Sequence, residues 1–276
     1  MISLFCVMGI DRDITDPNLI RHFLDFYTRQ RIDDYHIILQ SNRHDVERYT
    51  EVTGILNSFH LEAKGHWTGE YTSPRLHRHL FETFRRGDPG DWWVVVDLDE
   101  FANFPRPAGP FLEACDSGGF NCVRGRIVDR VDDRGRLKAV RGDVPIDLQF
   151  PCEATVTRDV ARGNTDKIVA CKPPLIPGMG HHAIVKRART ARFHPQTLDV
   201  HHFKWDALVL ERTRRRHLRY RRDRIKWRGE SARLLAYLER HGRIADEHLS
   251  PRTHSALRYH TPSPPHDAPA ASRRDP

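Results

Sequence analysis

Trp92-Trp93-Val94-Val95-Val96-Asp97-Leu98-Asp99-Glu100-Phe101 is the stretch on which the reading of this chain turns. Its first five residues are apolar, aromatic or β-branched, and Gly87-Asp88-Pro89-Gly90 precedes them as a turn. A run of that kind suits a strand covered on both faces, the condition of strands in a parallel sheet. The three acids that follow then stand at the strand's carboxyl end, where open α/β sheets collect their ligands. In an extended backbone residues i and i+2 share a face, so Asp97 and Asp99 are expected to point one way and Glu100 the other.

Working back from that strand, the pattern alternates. Ile2 to Met8 reads as a first buried strand. Asp16-Pro17 supplies an N-cap and a proline at the first helical position, and Leu19, Ile20, Phe23, Leu24, Phe26 and Tyr27 follow at helical spacing to about Gln30. Tyr35 to Gln40 reads as a second strand, His44 to Phe59 as a second helix, and Pro74 opens a third helix with Leu76, Leu80, Phe81 and Phe84 on one face. Strands alternating with helices predict an α/β class, an open, mostly parallel, Rossmann-like sheet flanked by helices. Beyond Phe101 the reading is of shorter strands at Gly119 to Val131, Arg136 to Val140 and Glu153 to Val160, then basic helices at Asp206 to Arg228 and Glu230 to His241. Thr261 to Pro276 is proline-rich and poor in apolar residues, the composition of a disordered tail. The expected division is 1–205 as the main domain, 206–260 as a basic helical extension and 261–276 as the tail.

Composition narrows the classes. At 276 residues the chain can bury a substantial core. No apolar run approaches the roughly 20 residues of a membrane-spanning helix. MISLFCVMGI lacks a basic leader and a cleavage site, so a cytoplasmic protein is expected. Five widely spaced cysteines without a C-x-x-C pair fit reduced thiols rather than zinc or disulfides. The formal charge of +8 suits an acidic partner. Only seven of the 45 basic residues are lysines, however, and so strong an arginine bias can reflect genome composition alone. No zinc finger, RRM or other nucleic-acid module is visible, and clustered acids serve no nucleic-acid surface, so no nucleic-acid partner is expected. Arginines dominate Arg212 to Arg228, where a basic helix with interspersed leucines can rest on an anionic inner membrane face or simply dock on the main domain.

Two carboxylates on one face are what Mg²⁺ or Mn²⁺ requires when phosphates complete its shell. Chance Asp-x-Asp triplets on solvated loops are the ordinary alternative, but three acids in four residues also repel one another unless a cation or basic group lies among them. At this point WWVVVDLDEFANFP resembles the Asp-x-Asp-Glu-Phe segment of bacterial glycosyltransferase family 2-like proteins, which are also similar to glycosyltransferase family 92. Val128-Asp129-Arg130, Asp166 to Val169, Gly180-His181-His182 and His201-His202-Phe203-Lys204-Trp205 agree with it, so the resemblance spans about residues 1 to 225. The Asn-Glu that often follows the first strand in family 2 is absent, and Gly9-Ile10-Asp11-Arg12-Asp13 stands there instead.

The resemblance implies a GT-A fold, a nucleotide-sugar donor, a glycan or lipid-linked acceptor and a divalent metal, Mn²⁺ or Mg²⁺. Asp97, Asp99, His182 and His202 are then the metal candidates, imidazole being acceptable to Mn²⁺. Adjacent side chains of a strand face opposite ways, so at most one of each His-His pair should point inward. Asp129, Asp147 and Glu100 are the carboxylate candidates for catalysis, with a histidine as the alternative base. Lys167, Lys172 and Asn42 are the candidates for holding the donor, the lysines as point charges on phosphate. A phosphatase or phosphotransferase of the haloacid dehalogenase type is the rival enzyme. Its motif normally has Thr or Val where Phe101 stands and lies nearer the N-terminus.

Overall fold

The computed structural model describes residues 1–250 and 256–260. In chain order its main elements are β1 (Ile2–Gly9), α1 (Pro17–Thr28), β2 (Asp34–Ser41), α2 (Val46–Ser58), β3 (Gly65–Thr68), α3 (Ser73–Arg86), β4 (Trp92–Val95) and β5 (Glu100–Ala102). There follow α4 (Ala108–Ser117), β6 (Cys122–Val131), α5 (Ile146–Gln149), β7 (Cys152–Ala154), α6 (Val156–Asp159), β8 (Asp166–Cys171), β9 (Ile176–Pro177) and β10 (Ile184–Lys186). The last are β11 (Leu198–His202), α7 (Val209–Arg222), α8 (Arg228–His241) and β12 (Leu249–Ser250).

The expected α/β architecture is present. The main sheet runs β12-β7-β6-β8-β4-β1-β2-β3, with β11 and β5 paired beside it. β1, β2, β3 and β4 are mutually parallel, with Phe5 opposite Ile37's neighbour His36 on one side and Val95 on the other. β8 reverses direction against both β4 and β6. The alternation of β1 explains its unbroken apolar run: Leu4, Cys6 and Met8 join Phe23, Phe26 and Tyr27 of α1 in one cluster, while Phe5 and Val7 join Leu76, Leu80 and Phe84 of α3 in another. Both faces of the strand are therefore covered, as a parallel sheet requires. All five cysteines are buried free thiols.

The helix starts follow local chemistry. Asp16 accepts from the Asn18 amide ahead of Pro17, and Asp45 caps α2 through the Arg48 amide. Tyr27 then fastens α1 to the segment after β4: its hydroxyl donates to the Glu100 carbonyl and accepts from the Ala102 amide.

Two expected strands take other forms. Residues 136–140 make only isolated bridges, Arg136 to Arg243 and Lys138 to Asp206, because Arg136 and Lys138 both turn to the buried carboxylate of Asp132. In Glu153 to Val160 the strand stops at Ala154, and the turn of α6 replaces the rest. The Asp129 carboxylate anchors that turn by accepting from the Thr157 amide and hydroxyl. In the 206–260 segment, Val209 of α7 and Leu234 and Leu238 of α8 close a third cluster with Val131, Val156 and Trp205. The expected tail at 261–276 lies outside the described residues.

Candidate functional site

β4 ends at Val95, and the chain turns through Asp97, Leu98 and Asp99, with the Glu100 amide donating to the Asp97 carbonyl at 3.0 Å. The expectation that Glu100 points away from Asp97 therefore fails. In a turn the two-residue alternation of a strand no longer applies, and Glu100 and Asp97 converge on one cation. Lys167, from β8, places its Nζ 2.7 Å from Glu100 Oε1 and 3.3 Å from Asp97 Oδ2, and also donates to the Gly180 carbonyl at 2.9 Å. Lys167 and Glu100 are buried, whereas Asp97 is 30% exposed to the cavity in front of it.

Electrostatics follow from this packing. Burial disfavours all these charges, and for Glu100 it wins: despite Lys167 its carboxyl is pushed up to about 7. For Asp97, the Lys167 ammonium outweighs burial and holds the carboxyl below its usual range. Lys167 is raised because Glu100 and Asp97 outweigh its own desolvation.

Asp99 belongs to a second group. His202, on β11, lies between two carboxylates, Nε2 3.5 Å from Asp99 Oδ2 and Nδ1 3.1 Å from Asp129 Oδ1. Burial opposes a charge on the ring, but the two carboxylates outweigh it and raise His202 to about 9. Its neighbour His201 faces the other way, against the Arg130 guanidinium, and burial lowers it to about 3. One member of this pair thus points to the acids, as strand geometry dictates.

A raised folded-state pKa contributes stability that is complete below the ordinary 6.5 and is lost as pH rises through about 9. The stability difference between the wild type and His202→Gln is therefore expected to be largest below pH 6.5 and to shrink steadily toward pH 9.5. Urea unfolding at pH 5.5, 7.5 and 9.5 measures it, and a difference that stays constant over that range contradicts the assignment.

The other His-His pair is resolved the opposite way from the expectation. Residues 179–181 form a 3₁₀ turn in which Gly180 and His181 both have positive φ, so neither ring follows strand alternation. His181 is buried beside Asp97 and Glu100, and both its ring nitrogens lack a hydrogen-bond partner. Burial keeps that ring neutral, lowering it to about 3. His182 instead bonds the Asp166 carbonyl through Nδ1 at 2.7 Å and lines a separate cavity with Arg124 and Asp166.

The residues present fit a divalent cation. Oxygen atoms of Asp97 and Glu100 and a ring nitrogen of His181 lie within 4.8 Å of one another. The unsatisfied imidazole is a ligand in search of a partner, and two carboxylates with one imidazole suit Mn²⁺. The set differs from that read in sequence: Asp97 is retained, Glu100 and His181 enter, and Asp99 and His202 form the neighbouring pair.

Asp97 and Asp99 open into a cavity of about 310 Å³ at the carboxyl end of β4, shared with Gly9, Tyr71, Lys204 and Arg216. The remaining candidates stand elsewhere. Asp129 is buried behind His202, with Thr157 and His202 as partners, so it positions the imidazole and is not a free base. Asp147, on α5, lines a different cavity with His22 and Tyr259. Lys172 pairs with Asp116 at 2.6 Å. Asn42 donates its amide to Asp11 and lines a groove that adjoins the carboxylate cavity. Lys204 was marked only as part of the His201 to Trp205 segment and Arg216 only as one of a run of arginines, and the fold brings both to this cavity. Burial, then Arg216, lowers the Lys204 ammonium to about 8.

No family model matches the chain, and no curated protein matches it. Among solved structures it is similar to S. aureus TarS, at 10% identity and a TM-score of 0.39, over 89% of this chain and 44% of that one. It is also similar to a Bacillus anthracis protein described as a glucose-1-phosphate thymidylyltransferase in complex with sucrose. There the identity is 15% and the TM-score 0.33, over 50% of this chain and 58% of that one. The chain thus spans about half the length of these two structures, and likenesses so loose leave the question of activity to the site itself.

Proposed function

We propose that this chain is a GT-A-type glycosyltransferase that moves a sugar from a nucleotide diphosphate sugar to a hydroxyl acceptor, in the synthesis of a cell-surface polysaccharide or glycolipid. The observation that carries the reading is the Asp97–Asp99 turn at the carboxyl end of a central strand, both carboxylates opening into one cavity. The segment's resemblance to the Asp-x-Asp-Glu-Phe pattern supports it.

Asp97, with Glu100 and His181 beside it, would hold a Mn²⁺ or Mg²⁺ ion. When bound, the ion supplies positive charge to the departing diphosphate. The chain's own residues prepare the site. Lys167 holds Glu100 and Asp97 together, Asp129 fixes His202 against Asp99, and Tyr27 ties the segment after the turn to α1. Residues 1–205 would form the catalytic domain and 206–260 an extension, whose α7 lines the cavity through Arg212 and Arg216. Among the described residues no helix is long and apolar enough to cross a membrane.

A thermal-shift panel of nucleoside diphosphates and their sugars, with and without Mn²⁺, tests the proposal, since a ligand that binds only the folded state raises its melting temperature. At least one nucleotide is expected to stabilise the protein more with Mn²⁺ than without. Turnover of a simple phosphate ester with Mg²⁺ and no nucleotide sugar would favour the phosphatase reading instead.

A further inference from the structure

The arginines of α7 are mostly satisfied by neighbours. Arg212 is held by Asp206 and by the carbonyls of Ile14 and Lys204. Arg215 pairs with Glu211 and Asp13, and Arg222 with Glu70 and Asp223. Arg216 is different. Its Nη2 is shut off from solvent without a hydrogen-bond partner, and it makes no ion pair to a described residue. Arg216 also stands where two spaces meet, lining both the carboxylate cavity and the adjoining groove of about 580 Å³.

Two further cations share that wall. Lys204 lines the carboxylate cavity, its ammonium without a hydrogen bond or ion pair to a described residue and 5.3 Å from the centre of the Trp205 ring. Arg219, one turn beyond Arg216, lines the groove; it donates to the Tyr71 carbonyl, while its Nε is buried without a partner. Buried donors left unsatisfied are costly, and neighbouring like charges add to that cost. The acids across the cavity make no ion pair with them, because Asp97 is taken by Lys167 and Asp99 by His202, and Asp99 supports the Lys204 charge only from a distance. Guanidinium donors in this state match an anion with several acceptor oxygens, the chemistry of linked phosphates.

We propose that Lys204, Arg216 and Arg219 form an anion-binding wall that holds a diphosphate across the opening between the carboxylate cavity and the arginine groove, without the help of a metal ion. This deepens the sugar-transfer reading and rests on it only for the identity of the ligand, the donor's diphosphate. The wall itself depends on the cations alone. It also gives the basic segment a role that composition does not indicate: α7 faces its unpaired charge into the site.

Calorimetric titration of the full chain with inorganic pyrophosphate in a metal chelator tests the wall. The wild type is expected to bind pyrophosphate more tightly than orthophosphate. Arg216→Gln should weaken binding roughly tenfold or more, the loss of a charge-assisted hydrogen bond. Arg216→Lys should retain part of the affinity, and melting curves check that each variant is folded. Arg141→Gln, which removes an exposed arginine paired with Asp143, controls for net charge and should bind within about twofold of wild type. Three results overturn the proposal: no pyrophosphate binding by the wild type in chelator, wild-type affinity in Arg216→Gln, or an equal loss in Arg141→Gln. Pyrophosphate binding through Arg216 in a chain that ignores every nucleotide sugar keeps the wall and removes the sugar-transfer reading. Nucleotide-sugar binding that is indifferent to Arg216 does the reverse.

Discussion

Lys167→Met is expected to destabilise the protein by about 3–5 kcal/mol, the scale of breaking a buried ion pair from one side. Lys167 and Glu100 are both buried, and among the described residues the lysine is the one that forms ion pairs with Glu100 and Asp97 together. Methionine fills similar space, so the loss is one of charge rather than of packing. Glu100, already pushed up to about 7 by burial, can escape by taking a proton. The destabilisation should accordingly be smaller at pH 5.5 than at pH 8, where an unpaired carboxylate must stay charged or be neutralised at a cost. Mn²⁺ supplies the missing charge among Asp97, Glu100 and His181 and should recover more stability in Lys167→Met than in the wild type. Urea unfolding at the two pH values, with and without Mn²⁺, reads all three effects. A variant as stable as wild type at pH 8, with no response to Mn²⁺, removes the proposed cation site.

The second large effect is on transfer. Asp99→Asn is expected to lower transfer by about 10²–10³-fold, the range seen when one preorganised electrostatic contact is lost, while the Mn²⁺-dependent part of the nucleotide thermal shift, which rests on Asp97, Glu100 and His181, persists. The fold should survive. Asp99 is 29% exposed at the cavity, and Asp129 keeps its own hold on His202, so no buried charge is stranded. Asp147→Asn is the matched control, because Asp147 lines another cavity and should leave transfer unchanged. Wild-type turnover in Asp99→Asn would falsify the role given to the carboxylate turn.

Much of the frame was legible in the one-dimensional pattern. Val94 to Val96 and Leu4 to Met8 announce strands covered on both sides, because a strand packed on both faces buries such unbroken apolar runs. Asp16-Pro17 marks a helix start through chemistry contained in three residues. These are local signals, and local physics decides them. Residues 136–140 misled because their partner, Asp132, takes up their polar side chains instead of a strand doing so.

The site was legible only in part. Asp97, Asp99 and Lys167 were marked by their place beside apolar runs and His202 by the resemblance, and the fold brings them together. The sense of Glu100 was not, since it depends on where β4 stops and the turn begins. His181 replaces His182 because two positive-φ residues override strand alternation, a backbone choice made by the surrounding packing. Asp129, named as a base, becomes a support for His202 once α6 folds over it.

Sequence by itself therefore determined the alternating α/β frame, the strand that carries the acids and the identity of the acids, because hydrophobic periodicity and capping act over a few neighbouring residues. Tertiary structure alone decided which charges meet. Lys167 reaches Asp97 from 70 residues away, and Arg216 of α7 lines the same cavity as both aspartates. Coulomb energy and desolvation depend on distance and burial in space, and no spacing along the chain encodes either one.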